Sequence, residues 1–301
     1  MKVKQNKREW RMPWAWLLSG LLCLAHTGAG AEVITYPRPE SPADHRGDYP
    51  VALLRLALSE AGSRDELRAA QEVMTQDRAL VELKRNRHLR VMWTMTTVRR
   101  EAEALPIRIP IYKGLIGWRL PLVHAGRSAV LSGVRELRQL SSLTAGQGHD
   151  WPDTDILRAN GLKVATSSSY TSLFQMLGAG RFDYMPRSIS EIWDEVEAHR
   201  ADGIMVDQSI VLHYPAAVYF FVNKQDVELA RRIERGLERA IANGKFDRLF
   251  YAHHAALIER ARLAQRRVIE LNNPMLPAET PLHRKELWVS FPSAIRSAPS
   301  P

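Results

Sequence analysis

The chain has 301 residues, a formal net charge of +9, one cysteine and 45% hydrophobic residues. This length suits one large domain or two modest lobes, and the ordinary apolar fraction excludes a collagen-like or disordered chain. The single cysteine, Cys23, excludes a disulfide framework and any multi-cysteine zinc or iron–sulfur site. The positive charge is compatible with nucleic-acid binding, so its meaning depends on where the basic residues lie.

Residues 1–31 have the three regions of a secretory signal peptide. A basic start, MKVKQNKREWR, precedes an apolar stretch over 14–25 and a small-residue end, Ala29-Gly30-Ala31. We predict cleavage after Ala31, with an uncleaved N-terminal anchor as the alternative. The segment carries five basic residues and one acidic residue, so cleavage takes the net charge from +9 to +5 and removes Cys23. The remaining cysteine-free chain suits an oxidising compartment.

Short apolar segments alternate with amphipathic segments in the rest of the chain, which favours an α/β fold. A Pro-rich stretch over 37–50 is predicted to be a loop, and residues 291–301 a flexible tail. The predicted strands cover 33–36, 67–73, 89–93, 116–123, 162–165, 182–184 and two parts of 210–222 separated by Pro215. The predicted helices cover 51–61, 76–86, 151–161, 171–178, 188–199, 226–242 and 246–265.

The chain lacks the common sequence motifs of nucleotide-binding, serine-hydrolase and zinc-protease sites. His253 and His254 are adjacent on a predicted helix, where neighbouring side chains point about 100° apart, so a solvated surface is favoured over a metal site. The basic residues of 229–239 alternate with glutamates at helical spacing, which favours an ion-paired surface. We therefore expect no nucleic-acid partner, no metal and no cofactor.

Three segments combine polar groups that suit a small anion. Segment 93–101 (WTMTTVRRE) leads into 106–112 (PIRIPIY), segment 161–170 (GLKVATSSSY) ends at a predicted helix, and segment 177–184 reads LGAGRFDY. A hydroxyl run after a strand offers hydrogen-bond donors, and an arginine a few residues later adds a planar, bidentate partner for a carboxylate. Hydroxyl residues before a helix lie where free N–H groups and the dipole favour an anion, but they also cap helices.

The order and spacing of these segments resemble the bacterial extracellular solute-binding proteins of family 3, the polar-amino-acid-binding group. The resemblance covers most of 32–270 and is strongest over 93–112 and 150–182, while 147–187 also resembles a branch of unassigned periplasmic substrate-binding proteins. It implies an α/β fold of the type II periplasmic binding protein class, with two lobes around a cleft. Lobe 1 is expected over 32–124 and 215–290, and lobe 2 over 125–214.

The resemblance also implies which residues hold a ligand. The family's arginine, which holds the ligand α-carboxylate, matches Arg100 best, with Arg99 as an open alternative, and Thr94 and Thr96 match donor positions of the same loop. A surface ion pair of Arg100 and plain helix capping by the serines are the other interpretations. The candidate ligand-binding residues are Tyr36, Thr94, Thr96, Arg100, Ser168, Ser169, Tyr170 and Arg187.

One position departs from the family pattern. The acidic residue that takes the ligand ammonium in amino-acid-binding members corresponds to Ser188 here, which follows Arg187. Arg187 is therefore predicted to meet a second negative group, which favours a dicarboxylate or another anionic solute over a standard α-amino acid. Glu191 is the alternative partner for an ammonium group if it reaches the cleft. Tyr36 follows the first strand, where its ring either stacks on a ligand or packs.

The function implied is capture of a small, anionic or amino-acid-like solute in the periplasm and its delivery to an ABC-type transporter. The protein is expected to be a monomer without catalytic residues, with a small-molecule solute and a membrane permease as partners. Two other functions stay open: a sensory solute-binding module for a membrane signalling protein, and an enzyme similar to the cyclic-carboxylate dehydratases on this fold. An enzyme needs a positioned acid or base, for which Glu191 and His149 are the candidates.

Overall fold

The computed structural model describes residues 1–2, 31–39 and 44–291. The predicted signal peptide lies outside these ranges except for residues 1, 2 and 31, and the predicted tail lies outside them beyond residue 291. Cleavage after Ala31 and the tail therefore stay predictions. No helix of the described part is both long and apolar enough to cross a membrane.

Strands and helices alternate along the described part of the chain, as the hydrophobic pattern predicts. Its strands are β1 (Val33–Tyr36), β2 (Glu66–Ala69), β3 (Val91–Met95), β4 (Leu105–Ile107), β5 (Trp118–His124), β6 (Thr144–Gly148), β7 (Lys163–Ser167), β8 (Met185–Ser188), β9 (Ile204–Val206), β10 (Ile210–His213), β11 (Val218–Val222) and β12 (Arg267–Glu270). Its α-helices are α1 (Asp48–Glu60), α2 (Gln76–Arg85), α3 (Val98–Glu103), α4 (Leu137–Leu140), α5 (Pro152–Ala159), α6 (Tyr170–Gly178), α7 (Ile192–Ala198), α8 (Val227–Ala242) and α9 (Lys245–Ala261).

One sheet is built around β11, which pairs antiparallel with β3 on one side and β4 on the other. The sequence of β11, VYFFV, is buried throughout, as expected for a continuous apolar run in the middle of a sheet. β1 and β2 form a separate parallel pair. Helices α1 and α8 pack so closely that a side chain at Gly236 would overlap the carbonyl oxygen of Ala57. These elements form one side of the molecule.

A second sheet is built around β5, which pairs with β8 along one edge and with β10 and β9 along the other. β12 extends this sheet beyond β10. β6 and β7 form a parallel pair, and their carboxyl ends lead into α5 and α6. Ligands of open α/β structures bind outside the carboxyl ends of strands, so the starts of α5 and α6 lie where a ligand is expected.

The chain passes between the two sheets at two crossings that touch each other. One crossing leads from β4 to β5 and the other from β10 to β11. The backbone N–H of Tyr214 donates to the carbonyl of Gly117 at 3.2 Å, and a Cβ at position 117 would overlap the carbonyl oxygen of Tyr214. Only glycine fits this approach. Paired crossings of this kind join two lobes, although the exact lobe boundaries given above stay a prediction.

Two local differences from the predicted elements have physical causes. The strand predicted over 182–184 lies at Met185–Ser188 instead: Tyr184 forms only an isolated parallel bridge with Ala145, and the Asp183 carboxylate accepts the backbone N–H of Thr144 at 2.7 Å. The sequence did not predict β6, which reads TAGQG, because it lacks the apolar alternation of a strand.

Candidate functional site

A cavity of about 190 Å³, partly open to solvent, lies at the carboxyl ends of β3, β6 and β7. Sites for drug-sized ligands span roughly 300–1,000 Å³, so this volume suits a small solute. Of the sequence-predicted residues, Thr94, Ser168, Tyr170 and Arg187 line the cavity. The others, Tyr36, Thr96, Arg100 and Ser169, lie outside its lining.

Arg100 lies buried just behind the cavity wall. Its Nη1 donates to Thr94 Oγ1 and, at 3.2 Å, to the Met95 carbonyl, while its Nη2 donates to the Asp150 carbonyl at 3.0 Å. These three acceptors carry no formal charge, and the carboxylate of Asp77 is 3.9 Å away. Burial therefore lowers the pKa of Arg100 to about 10.

Arg99, the open alternative, has different surroundings. Its side chain is 57% exposed and pairs with Asp77 at 2.9 Å and Glu103 at 3.4 Å. Arg100 points inward because α3 starts at Thr97, whose hydroxyl accepts the Arg100 backbone N–H at 3.1 Å. The surface ion pair considered for Arg100 is thus made by Arg99. The contacts favour Arg100 as the residue that holds a carboxylate, a role that stays a prediction.

The two threonines of the first loop have separate uses. Thr94 connects Arg100 to the cavity, since its hydroxyl accepts from Arg100 and donates to Gln76 Oε1 at 2.8 Å. Thr96 is fully buried, and its hydroxyl donates to Glu101 Oε1 at 2.7 Å. Thr94 is therefore placed to meet a solute, whereas the Thr96 side chain is engaged inside the protein.

The serines before α6 also differ in role: one caps the helix and another faces the cavity. Ser169 is the N-cap of α6, and its hydroxyl accepts the N–H of Ser172 at 3.3 Å. The Ser167 hydroxyl donates to the Ser169 carbonyl at 3.1 Å. Ser168 lines the cavity between them. Plain capping therefore accounts for Ser169, and Ser168 is the better candidate for a solute contact.

The two tyrosines also differ. Tyr170 lines the cavity, its hydroxyl donates to Glu195 Oε1 at 2.8 Å, and the Arg46 guanidinium lies 4.2 Å from its ring centroid. Burial, together with the negative charge of Glu195, raises the pKa of Tyr170. Tyr36 packs instead against Trp93, with ring centroids 6.1 Å apart. Packing is the favoured interpretation for Tyr36.

Arg187 is held by carboxylates of its own lobe. Its Nε and Nη2 donate to the two oxygens of Glu195 at 2.7 and 2.6 Å, and Glu191 lies 3.2 Å from Nη2. The guanidinium also stacks 4.4 Å from the ring centroid of Trp151. Although burial alone lowers the pKa of Arg187, the two carboxylates outweigh it and raise that pKa above its usual range.

A further arginine, Arg119 on β5, extends this group and was missed by the sequence analysis. It pairs with Asp153 at 2.6 Å and with Glu191 at 3.4 Å, and its Nε donates to the Tyr214 hydroxyl at 3.0 Å. Burial raises the pKa of Glu191, but Arg187, Arg119 and Arg46 outweigh it and hold that pKa below its usual range. The available signal was a charged residue inside the apolar strand WRLPLVH.

Among the described residues that line the cavity, carboxylates and guanidinium groups are equal in number. The acidic residues are Asp44, Asp150, Asp153 and Glu191, and the basic residues are Arg38, Arg46, Arg119 and Arg187. Within the part of the chain that the structure describes, no cluster of histidine, cysteine and acidic residues is arranged to hold a metal ion. The site can therefore offer both donors and acceptors to a polar solute.

No family model and no curated protein sequence matches the chain. An ancestral arginine-binding protein bound to arginine has a TM-score of 0.56 and 16% identity, over 74% of this chain and 98% of its own. An arginine-specific periplasmic binding protein from Salmonella typhimurium has a TM-score of 0.56 and 13% identity, over 74% and 100%.

A third similar structure is a histidine kinase sensor domain that itself resembles periplasmic binding proteins. Its TM-score is 0.56 and its identity 15%, over 74% of this chain and 96% of its own. At such identities the likeness concerns the fold, and it confirms the α/β class and the two-lobed plan. The chain therefore has the two-lobed fold of the type II periplasmic binding proteins.

Proposed function

We propose that this protein is a periplasmic solute-binding protein that captures a small amino-acid-like solute in the cleft between its lobes. The observation that carries this proposal is the cavity of about 190 Å³, which joins Thr94 of one side to Ser168, Tyr170 and Arg187 of the other. Proteins of this fold close by a hinge around the bound molecule. The similar structures include arginine-binding proteins, which supports the same reading.

The charges favour a zwitterion over a dianion. Arg187 already has two carboxylate neighbours, so a second negative group of the solute would compete with Glu195. Among the described residues, no carboxylate comes nearer to the Arg100 guanidinium than that of Asp77 at 3.9 Å, and Glu191 is a carboxylate of the lining near Arg187. A solute with one carboxylate and one ammonium group matches this pair of charges.

The solute is delivered to a membrane transporter of the ABC type, and the protein works in the periplasm after loss of the predicted signal peptide. A sensory role is the second candidate, because one of the similar structures is a histidine kinase sensor domain. An affinity purification from membranes that recovers a permease supports delivery to a transporter, and recovery of a kinase supports sensing.

A catalytic role is disfavoured by the surroundings of its two candidate residues. Glu191 is kept ionised by neighbouring arginines, which opposes a role as a general acid. The His149 side chain is 50% exposed and lies outside the cavity lining. We therefore assign binding and no reaction to this cleft.

A thermal-shift screen of residues 32–301 tests the proposal. A solute that binds only the folded protein stabilises it by mass action, by about 2.7 kcal/mol at a hundred times its Kd. We expect the largest shift among monocarboxylate amino acids and a smaller shift for dicarboxylates at equal ionic strength. If only dicarboxylates shift the melting temperature, the solute is a dianion and not a zwitterionic amino acid. If no acidic, neutral or basic solute causes a shift, solute binding is contradicted.

A further inference from the structure

Asp150 reaches from one side of the cleft to the other. It lies two residues beyond the end of β6, and its Oδ2 accepts the backbone N–H of Asp77 at 3.2 Å in the first turn of α2. Its carbonyl oxygen accepts from Arg100 Nη2 at 3.0 Å. The Asp150 side chain is 6% exposed, so water is largely excluded from it.

The partners of Asp150 are well matched to a carboxylate. The first turn of a helix presents unpaired N–H groups and the positive end of the dipole, both of which favour a negative charge. Thr75 caps the same helix through the N–H of Arg78, which leaves the Asp77 N–H to Asp150. Asp77 and Arg100 belong to the β3 side of the cleft, whereas Asp150 belongs with β6 and α5.

A second contact crosses the cleft, and here the charged side chain comes from the β3 side and its partner from the β6 side. Arg46 precedes α1, and its guanidinium carbon lies 4.2 Å from the ring centroid of Tyr170, the first residue of α6. This is inside the roughly 6 Å range of cation–π attraction. A cation from one side of the cleft thus rests on an aromatic ring of the other side.

We propose that Asp150 is a clasp that holds the two lobes together before any solute binds, with the Arg46–Tyr170 contact in support. The proposal rests on the proposed function, since it concerns closure of the same cleft. In a cleft that closes only around solute, the solute supplies the contacts that favour the closed state. Here the protein supplies such contacts itself, so the closed state is populated without solute. Solute entry then requires the clasp to open, which lowers the apparent affinity by the open fraction.

The distance between the lobes tests the clasp directly. Residues 32–301 contain no cysteine, so two introduced cysteines become unique sites for spin labels. Val81→Cys on α2 and Arg158→Cys on α5 use exposed positions on opposite sides of the cleft. Without solute, we expect one short label-to-label distance, and Asp150→Ala should lower the closed-to-open ratio roughly tenfold or more, as for loss of a charged hydrogen bond.

Two variants control this measurement. Glu197→Ala removes the same charge from an exposed position on α7, where it pairs with Arg200 three residues later, and should leave the distances unchanged. Asp150→Asn keeps an amide oxygen for the Asp77 N–H and should open the cleft less than Asp150→Ala. Circular dichroism and thermal unfolding check that each variant folds, and Asp150→Asn carries the test if Asp150→Ala does not. Equal distance distributions for the parent and Asp150→Ala would overturn the clasp, as would a parent that is already open.

Addition of amino acids separates this proposal from the proposed function. If Asp150→Ala changes the label-to-label distances but no amino acid binds the parent or the variant, the clasp is supported and solute binding is contradicted. A parent that is open alone and closes on adding an amino acid would support solute binding and contradict the clasp.

Discussion

Two buried arginines approach the same cleft from opposite sides, and their surroundings differ. Among the described residues, Arg100 donates to hydroxyl and carbonyl oxygens, and the Asp77 carboxylate stays 3.9 Å away. Arg187 donates through two nitrogens to Glu195, at 2.7 and 2.6 Å. The charge of Arg187 is thus balanced by a neighbouring carboxylate, whereas Arg100 donates to uncharged oxygens, which is why we propose that a solute carboxylate balances its charge.

The pKa directions follow from the same difference. Burial lowers the pKa of Arg100 to about 10, because the neutral acceptors do not compensate for lost hydration. Burial acts in the same direction on Arg187, but Glu191 and Glu195 outweigh it and raise the pKa of Arg187 above the usual range. Two side chains of the same type and similar burial can therefore serve folding or binding, depending on whether a carboxylate lies beside them.

Loss of Arg187 is the change with the largest expected effect. Arg187→Leu leaves Glu195 buried without its cation and should cost about 3–5 kcal/mol of unfolding free energy, measured by urea denaturation. The double variant Arg187→Leu/Glu195→Leu should recover part of that loss, because no unpaired charge remains. A cost below about 1 kcal/mol for Arg187→Leu would show that the pair does not hold the lobe together.

Acid should destabilise the protein through His254. Like Arg100, this side chain is buried and burial lowers its pKa. The residue is 3% exposed, its Nδ1 donates to the Phe250 carbonyl at 2.9 Å, and burial lowers its pKa from 6.5 to about 4. Between these values the unfolded chain binds the extra proton, so stability rises with pH and is lost on acidification. From pH 7 to pH 5 the expected loss is about 2 kcal/mol.

The neighbouring His253 provides the control for this pH effect. It makes the same contact with a carbonyl four residues earlier, at 2.9 Å, but its side chain is exposed. In urea denaturation, the unfolding free energy of His254→Gln should change little between pH 5 and pH 7. The unfolding free energy of His253→Gln should keep the pH dependence of the parent protein. The reverse result would show that burial does not determine which imidazole resists protonation.

Arg100 should matter more for solute than for folding. Arg100→Met removes a buried cation whose nearest described carboxylate, Asp77, is 3.9 Å away, so we expect solute affinity to fall tenfold or more, about 1.4 kcal/mol, in calorimetry with the amino acid found by the screen. Its cost in unfolding free energy should be smaller than that of Arg187→Leu, since no carboxylate is left unpaired. Arg99→Met, on the exposed neighbour, should change affinity little. An unchanged affinity for Arg100→Met would exclude it from the site.

The smallest expected effect concerns the helix start that places Arg100. The Thr97 hydroxyl accepts the Arg100 N–H at 3.1 Å, and Thr97→Ala should cost about 1 kcal/mol of stability in urea denaturation. Thr97→Ser keeps the hydroxyl and should cost much less. If both variants lose solute affinity equally, the cap is not what directs Arg100 inward.

The fold was predictable where periodicity is strong. The helices expected over 76–86 and 226–242 are α2 and α8, and Pro215 does separate β10 from β11. Strands such as β6 and β12 were not predicted, because they are short and polar or rich in glycine. Their place in the structure comes from pairing partners, with β7 and β10, that a local pattern does not contain.

The candidate site was predictable only in part. Local motifs led to Thr94, Arg100, Ser168 and Arg187, which lie in or just behind the cavity wall. The role of Asp150 depends on a partner 50 residues away, so spacing along the chain carried no signal for it. The alternatives left open for Tyr36 and Ser169 could be weighed only once ring packing and capping were visible.

By itself the sequence determined the α/β class, the order of most elements and the presence of hydroxyl and guanidinium groups beside strand ends. Those properties depend on residues within a few turns of one another. Only the tertiary structure decided that Arg187 is balanced by Glu195, that Arg100 is not balanced by a close carboxylate, and that Asp150 spans the cleft. The physical reason is that the state of a buried charge is set by the groups that folding brings within a few ångströms, whatever their distance along the chain.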